Sequence, residues 1–340
     1  MTRPPRFRTA FLFLVLLPLV APARGPAADR AEFAVKFAAL APDGSTWMKA
    51  MQALDRTLRE KSGGRIGFRI YPGGIAGDEL DVLRKIRIGQ IHATAFSGVG
   101  LTQILPEVRV LDLPFLFRDL DEVDRVHDAL RDHFARGFRD KGFELLGWAE
   151  VGEVHLYSKH PIDRLSDLAQ RKVWTWSGDP LSMETFTAMG ANPVPLAATD
   201  VTTSLSTGMI DTVYGPPLAA LALQWHAYTS HMTSYAIAHA TGAILISERF
   251  YDRLPGELAE LLRVEFEEAM EELTYALRVQ SNQALGVLEE KSGLKPTPEP
   301  TGEERQAFDA VHRQVAERLT DRLYPGETLE RVYRILGRTP

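Results

Sequence analysis

The stretch FAVKFAALAPDGSTWMKAMQALDRTLREKSGGRIGFRIYPGGIAGDELDVLRKIRIGQIHATAF, residues 33–96, carries the alternation that decides the fold. Phe33 to Ala38 reads as a β-strand and runs into the turn Pro42-Asp43-Gly44. Ser45 is placed to cap a helix whose Met48, Met51, Leu54 and Leu58 fall on one face. Gly63-Gly64 ends that helix, and Ile66 to Tyr71 reads as the second strand. Gly77-Asp78 opens another helix with Leu80, Leu83 and Ile86 inward, Gly89 stops it, and Ile91 to Phe96 is a third strand. Strand, helix, strand, helix, strand is the pattern of an α/β unit built on a mainly parallel sheet.

Toward the C-terminus the pattern continues. Asp121 to Arg139 is helical, with Val123, Val126, Leu130, Phe134 and Phe138 as its inner stripe, and Phe143 to Trp148 is a strand. Beyond Gly152 a second α/β unit follows. Val154 to Tyr157 and Lys172 to Trp176 read as strands, and Asp179-Pro180 starts a helix with proline in its favoured first turn. Thr199 to Thr207 is a short helix closed by Gly208, and Thr212-Val213-Tyr214 is a strand. The fold class read from this is two α/β lobes, each with its own sheet flanked by helices. One lobe spans 31–153, with 242–254 returning to it, and the other spans 154–241. Hinges are expected near Gly152 and Thr241-Gly242, because glycine absorbs backbone rotation without steric cost. From Pro255 to about Glu290 apolar residues recur at helical spacing. One helix of roughly 50 Å bracing both lobes is the sharper reading, and two helices broken near Gly286 the alternative. Further helices are expected up to residue 340.

Residues 1–28 differ from the rest. Arg3, Arg6 and Arg8 precede an apolar run from Ala10 to Val20 and then small residues, which is the pattern of a secretory signal. That run is too short to span a hydrocarbon core of roughly 30 Å as a helix. Cleavage is expected between Arg24 and Glu32, with release into the periplasm. The chain has no cysteine, so disulfides, thiol catalysis and a lipid-modified cysteine are excluded. Of its 340 residues 45% are hydrophobic and 25% charged, an ordinary globular balance that suggests about two domains. Net charge is −6, which gives no electrostatic basis for binding nucleic acid.

Motifs for chemistry are missing. There is no H-E-x-x-H, Walker A or dinucleotide fingerprint, and Gly98-Val99-Gly100 reads as a turn. His155, His226, His231 and His239 show no spacing that presents two metal ligands on one helix face, and Ser204-Leu205-Ser206 lacks nucleophile-elbow glycines. No catalytic residue, metal or cofactor is therefore expected.

Several blocks resemble those of TRAP-type periplasmic solute-binding proteins. They are Leu40 to Trp47; Gly63-Gly64-Arg65-Ile66 with Tyr71-Pro72; Leu113-Pro114-Phe115-Leu116-Phe117; Lys159-His160-Pro161-Ile162 with Asp167-Leu168; and Thr207-Gly208-Met209-Ile210-Asp211. Their order and spacing are those of the family from Phe33 to about Pro255. The resemblance implies two hinged lobes closing over a ligand, a long helix across them, and a membrane permease coupled to an ion gradient as partner.

Three positions depart from the family. Trp174, in Lys172-Val173-Trp174-Thr175-Trp176, stands where the resemblance places a carboxylate-binding arginine. A second basic residue is absent after Gly152, and an asparagine is absent after Asp211. A buried carboxylate needs a charged and preferably bidentate partner, so an apolar or uncharged ligand is expected instead. The candidate ligand-binding residues are Trp47, Phe96, Trp148, Trp174, Trp176, Tyr214 and Pro216. Competing readings are an organic-acid ligand held by Lys36, Arg87 or Lys172, and a periplasmic lipid chaperone or sensor on the same fold.

Overall fold

A computed structural model describes residues 31–338. The proposed signal segment at 1–28 lies outside the described residues. The first lobe contains β1 (Phe33–Ala38), α1 (Thr46–Lys61), β2 (Ile66–Tyr71), α2 (Glu79–Arg87), β3 (Ala93–Ser97), α3 (Gly98–Thr102) and α4 (Leu120–Arg139). β4 (Phe143–Ser158) leads out of it. The second lobe contains β5 (Lys172–Trp176), α5 (Pro180–Ala188), β6 (Asn192–Leu196), α6 (Val201–Thr207), β7 (Thr212–Gly215), α7 (Pro217–Ala222) and β8 (His231–Met232). β9 (Ala238–Ser247) leads back, followed by α8 (Glu248–Tyr251), α9 (Gly256–Gly286), β10 (Lys295–Pro296), α10 (Gly302–Leu319) and α11 (Gly326–Ile335).

The helices start where the sequence supplies side-chain caps. Ser45 accepts from the Met48 amide at the head of α1, and Asp78 and Asp81 form a reciprocal capping box at α2. Asp179 accepts from the Leu181 amide at α5, with Pro180 in the first turn. In α1 the four apolar residues at helical spacing are all buried.

The strand order is β2-β1-β3-β9-β4-β7-β5-β6. β2, β1 and β3 are parallel, as are β7, β5 and β6, while β9 and β4 run antiparallel between the two sets. Each lobe thus contributes a parallel trio. The two sheets are joined by hydrogen bonding that continues through β4 and β9. The separate strands expected at 143–148 and 154–157 are one 16-residue strand. Its register against β9 shifts between Leu145 and Gly147 and again between Glu150 and Gly152. Bulges of this kind bend and twist a strand without ending it, which lets one strand serve two sheets. Gly152 sits at the second shift with φ +110°, a conformation that side chains rarely adopt. Gly242 pairs with Ala149 in the same ladder, and a Cβ there would lie 2.5 Å from the Ala149 carbonyl oxygen.

α9 is one uninterrupted helix of 31 residues, about 45 Å long, and continues into a π-helical turn over Val287–Lys291. Leu262, Phe266, Met270 and Leu273 join the core beneath β1 and α1, whereas Leu285 and Leu288 join the core around Tyr157, Val201 and Leu205. The Leu113–Phe117 block is structural. Leu113 and Leu116 are fully buried, and Phe115, in the left-handed region, stacks on Phe308 at 4.4 Å between ring centres.

Candidate functional site

A cleft of about 840 Å³ lies between the lobes. Strand ends and helix starts of both parallel trios meet there, which is where open α/β sheets place ligands. One wall is the Leu40–Trp47 loop, Gly73-Gly74, Phe96 to Val99 and Pro114. The opposite wall is Trp174, Trp176, Tyr214 to Pro216, α7 and Trp225. The backbone of β4 and β9 closes the rear through Ala149, Val151, Ala240 and Gly242.

Six of the seven candidate residues line this cleft: Trp47, Phe96, Trp174, Trp176, Tyr214 and Pro216. Trp148 does not. Its indole packs edge-on against His127, Phe134 and Phe138 beneath α4, because its position in β4 puts the side chain on the outer face of the sheet. Of the alternative cations, Lys36, Arg87 and Lys172 are likewise absent from the lining. Arg87 borders a surface depression by α2, and Lys172 Nζ donates to the Gly208 carbonyl at 3.4 Å.

Trp174 has two roles. Its side chain is only 3% exposed and belongs to the second-lobe core. Its ring stacks on Tyr214 with centroids 5.0 Å apart and 26° between planes, and meets Trp176 and Trp225 at 5.6 Å each. Its Nε1 donates to the Leu196 carbonyl at 3.1 Å. The result is an aromatic wall in which the Trp174 and Trp176 indole N–H groups are bonded and that of Trp225 is buried without a partner, suited to apolar or ring-bearing surface.

Charges at the cleft escaped sequence reasoning. Arg109 is the one lysine or arginine among the described cleft-lining residues, with three carboxylates, Glu79, Asp112 and Asp179, beside it. Arg109 Nη1 donates to Asp112 at 2.8 Å, and Nη2 donates to both oxygens of Asp179 at 2.9 and 3.0 Å. Burial alone would lower the guanidinium pKa, yet the fields of Asp179 and Asp112 hold it above its ordinary value. Burial pushes the Asp112 carboxyl up to about 6 against the pull of Arg109. The hydrogen-bond lengths are those of an ionised cluster, and at neutral pH Asp112 remains charged. A single charge within the apolar run Val108-Arg109-Val110-Leu111 was the available signal, since a charge carried into a core must be paired. Gly98 makes the arrangement possible: a Cβ there would sit 1.3 Å from Arg109 Nη1. Gly98-Val99-Gly100, read as a turn in the sequence, is the start of α3.

Glu79 is buried and accepts from the Ser97 and Gly100 amides at 2.8 and 2.7 Å. Burial outweighs those bonds and pushes its carboxyl from 4.5 up to about 7. A carboxyl raised on folding contributes stability that is full below its unfolded value and is lost as pH rises through its folded value. Glu79 therefore costs on the order of 3 kcal/mol above pH 7 relative to pH 4. Asp112 acts in the same direction, whereas the buried His127 and His239, pushed down to about 4 and about 3 chiefly by burial, act oppositely. A comparison of Glu79→Gln with the parent cancels those contributions. The melting-temperature difference, variant minus parent, should rise between pH 5 and pH 8. A difference that is flat with pH would show that Glu79 stays ionised throughout.

Comparison with known proteins is consistent with this geometry. Residues 37–319 match the family described as bacterial extracellular solute-binding protein, family 7. A solute-binding protein of Chromohalobacter salexigens is 31% identical over 165 residues, 48% of this chain and 49% of that one. The chain thus spans about half the length of that relative. The ectoine/5-hydroxyectoine-binding periplasmic protein UehA of Ruegeria pomeroyi is 26% identical over 73% of this chain and 74% of its own. The sugar-acid-binding protein DctPAm of Advenella mimigardefordensis, solved with galactonate, superposes with a TM-score of 0.84 at 22% identity, covering 89% of this chain and 97% of that one. These relatives are solute-binding proteins rather than enzymes.

Proposed function

The chain belongs to the bacterial extracellular solute-binding proteins of family 7, and from that premise we propose that it is the periplasmic capture subunit of a TRAP-type transporter for an apolar or uncharged ligand. The carrying observation is the cleft itself, an aromatic wall opposite a guanidinium whose Nη1 and Nη2 are paired with Asp112 and Asp179. An anionic ligand would meet three carboxylates and no free cation among the described residues of the cleft. A ring-bearing, uncharged molecule would bury its surface against Trp174, Trp176, Tyr214 and Trp225 with no such penalty. Delivery to a membrane permease, and export by the segment before residue 29, belong to the same proposal. No helix among the described residues is long and apolar enough to cross a membrane.

A second reading is a carboxylate ligand seated on Arg109. The galactonate held by DctPAm favours it, as does the position of Arg109 in the cleft lining. It requires Asp179 to share or yield the guanidinium. Calorimetric titration with succinate, galactonate, ectoine and a set of uncharged ring compounds separates the readings. Binding by the uncharged rings, with the acids silent, is the expected outcome. Tight binding of succinate or galactonate with the rings silent would overturn the apolar reading in favour of the second.

A further inference from the structure

Polar contacts cross the cleft from lobe to lobe at two places, Asp78 and Arg109. Asp78 Oδ2 accepts from Trp176 Nε1 at 2.8 Å and from the Ala198 amide at 3.4 Å, and Arg109 Nη2 donates to the Asp179 carboxylate at 2.9 and 3.0 Å. Trp176 and Asp179 stand at the two ends of the tight turn between β5 and α5, while Asp78 and Arg109 belong to the opposing lobe. Asp112, bonded to Arg109, also accepts from the Thr241 amide at 2.7 Å. Thr241 is the residue before Gly242 in β9, one of the two strands that join the lobes. A continuous chain of charge-assisted bonds therefore runs from a second-lobe turn, through Arg109 and Asp112, to the connecting strand. The side chains of Arg109, Asp112 and Asp179 are exposed by only 6%, 7% and 3%.

We propose that the Arg109–Asp179 pair is a latch that stabilises the closed cleft, with Asp179 serving as an internal counter-ion that an anionic ligand must displace. An uncharged ligand can supply little bridging force between two lobes, since it offers no charge-assisted bond to either. The latch supplies that bridge from the protein's own side chains. Once the lobes separate, Asp179 regains water while Arg109 keeps Asp112, so neither charge is stranded and opening stays accessible. Removing the Asp179 charge takes away a contact present only in the closed form and so shifts the population toward the open one. The inference concerns regulation of the cleft and rests on the solute-capture reading.

Asp179→Asn is the variant of choice, because asparagine caps a helix as well as aspartate does and α5 keeps its start. Small-angle scattering of the ligand-free protein should give a compact parent and a larger radius of gyration for Asp179→Asn. Trp176→Phe, which removes the indole bond to Asp78 without touching a charge and leaves the longer Ala198 bond, should give a smaller shift in the same direction. Equal radii for the parent and both variants would overturn the latch. Galactonate titration tests the counter-ion role: Asp179→Asn should bind it at least tenfold more tightly than the parent, and equal affinity would overturn that half. The scattering measurement uses no ligand. Failure of the uncharged compounds in calorimetry would therefore leave the latch intact, and an extended ligand-free parent would leave the apolar reading intact.

Discussion

Replacing Arg109 with leucine should lower the unfolding free energy by about 3–5 kcal/mol, because removing one partner of a buried ionic cluster leaves the other charges unpaired. Asp112 and Asp179 would then face each other, both nearly inaccessible to water. Opening of the cleft can rehydrate Asp179, but Asp112 is tied to the Thr241 amide and has no such escape. The loss should be greatest at pH 7.5, above the value near 6 to which burial raises Asp112, and should shrink at pH 5 as Asp112 takes up a proton. Gly98→Ala should reproduce much of the effect from the other side, since its Cβ would occupy the position of Arg109 Nη1. Urea denaturation at the two pH values measures both. A loss below about 1 kcal/mol for Arg109→Leu would mean that the cluster contributes no more than an exposed pair does.

Trp174→Ala should cost about 3–5 kcal/mol of folding stability in the ligand-free protein, the range for removing a large aromatic from a packed core. The same substitution should weaken ligand binding by about 2–4 kcal/mol through lost contact and a cavity. The structure adds the stability cost, because the same ring that faces the cleft also packs on Tyr214, Trp225 and the second-lobe core. Trp174→Phe keeps a ring in place but lacks the Nε1 donor to Leu196, so it should fall between parent and alanine variant. Denaturation and ligand titration on the same samples separate the two roles. Weakened binding with unchanged stability would show Trp174 to be a cleft residue alone.

The order of elements was legible because it is written in local chemistry. Helix caps at Ser45, Asp78 and Asp179 lie within a few residues of the apolar stripes they introduce, so a short window of sequence holds both. The same locality misled at β4. A glycine between two alternating runs reads as a chain break, and only the pairing with β9 shows Gly152 to be a bulge inside one strand. Trp148 failed for a related reason. It resembles the other tryptophans in lying near a strand end, but which face of the sheet it takes depends on register, and a one-residue shift exchanges the faces.

What the sequence by itself determined is the two-lobed α/β class and the family, consequences of periodicity, capping and ordered motifs; it also named six residues that line the cleft and left open a break of the long helix near Gly286. The charged centre of the cleft was decided by tertiary structure alone. Arg109, Asp112, Asp179 and Glu79 are spread over 101 positions (79 to 179), and nothing local distinguishes Asp179 as an ion-pair partner from Asp179 as a helix cap. Coulomb attraction acts through space rather than along the chain, so the Arg109–Asp179 pairing exists only once the lobes have brought those two side chains within 3.0 Å.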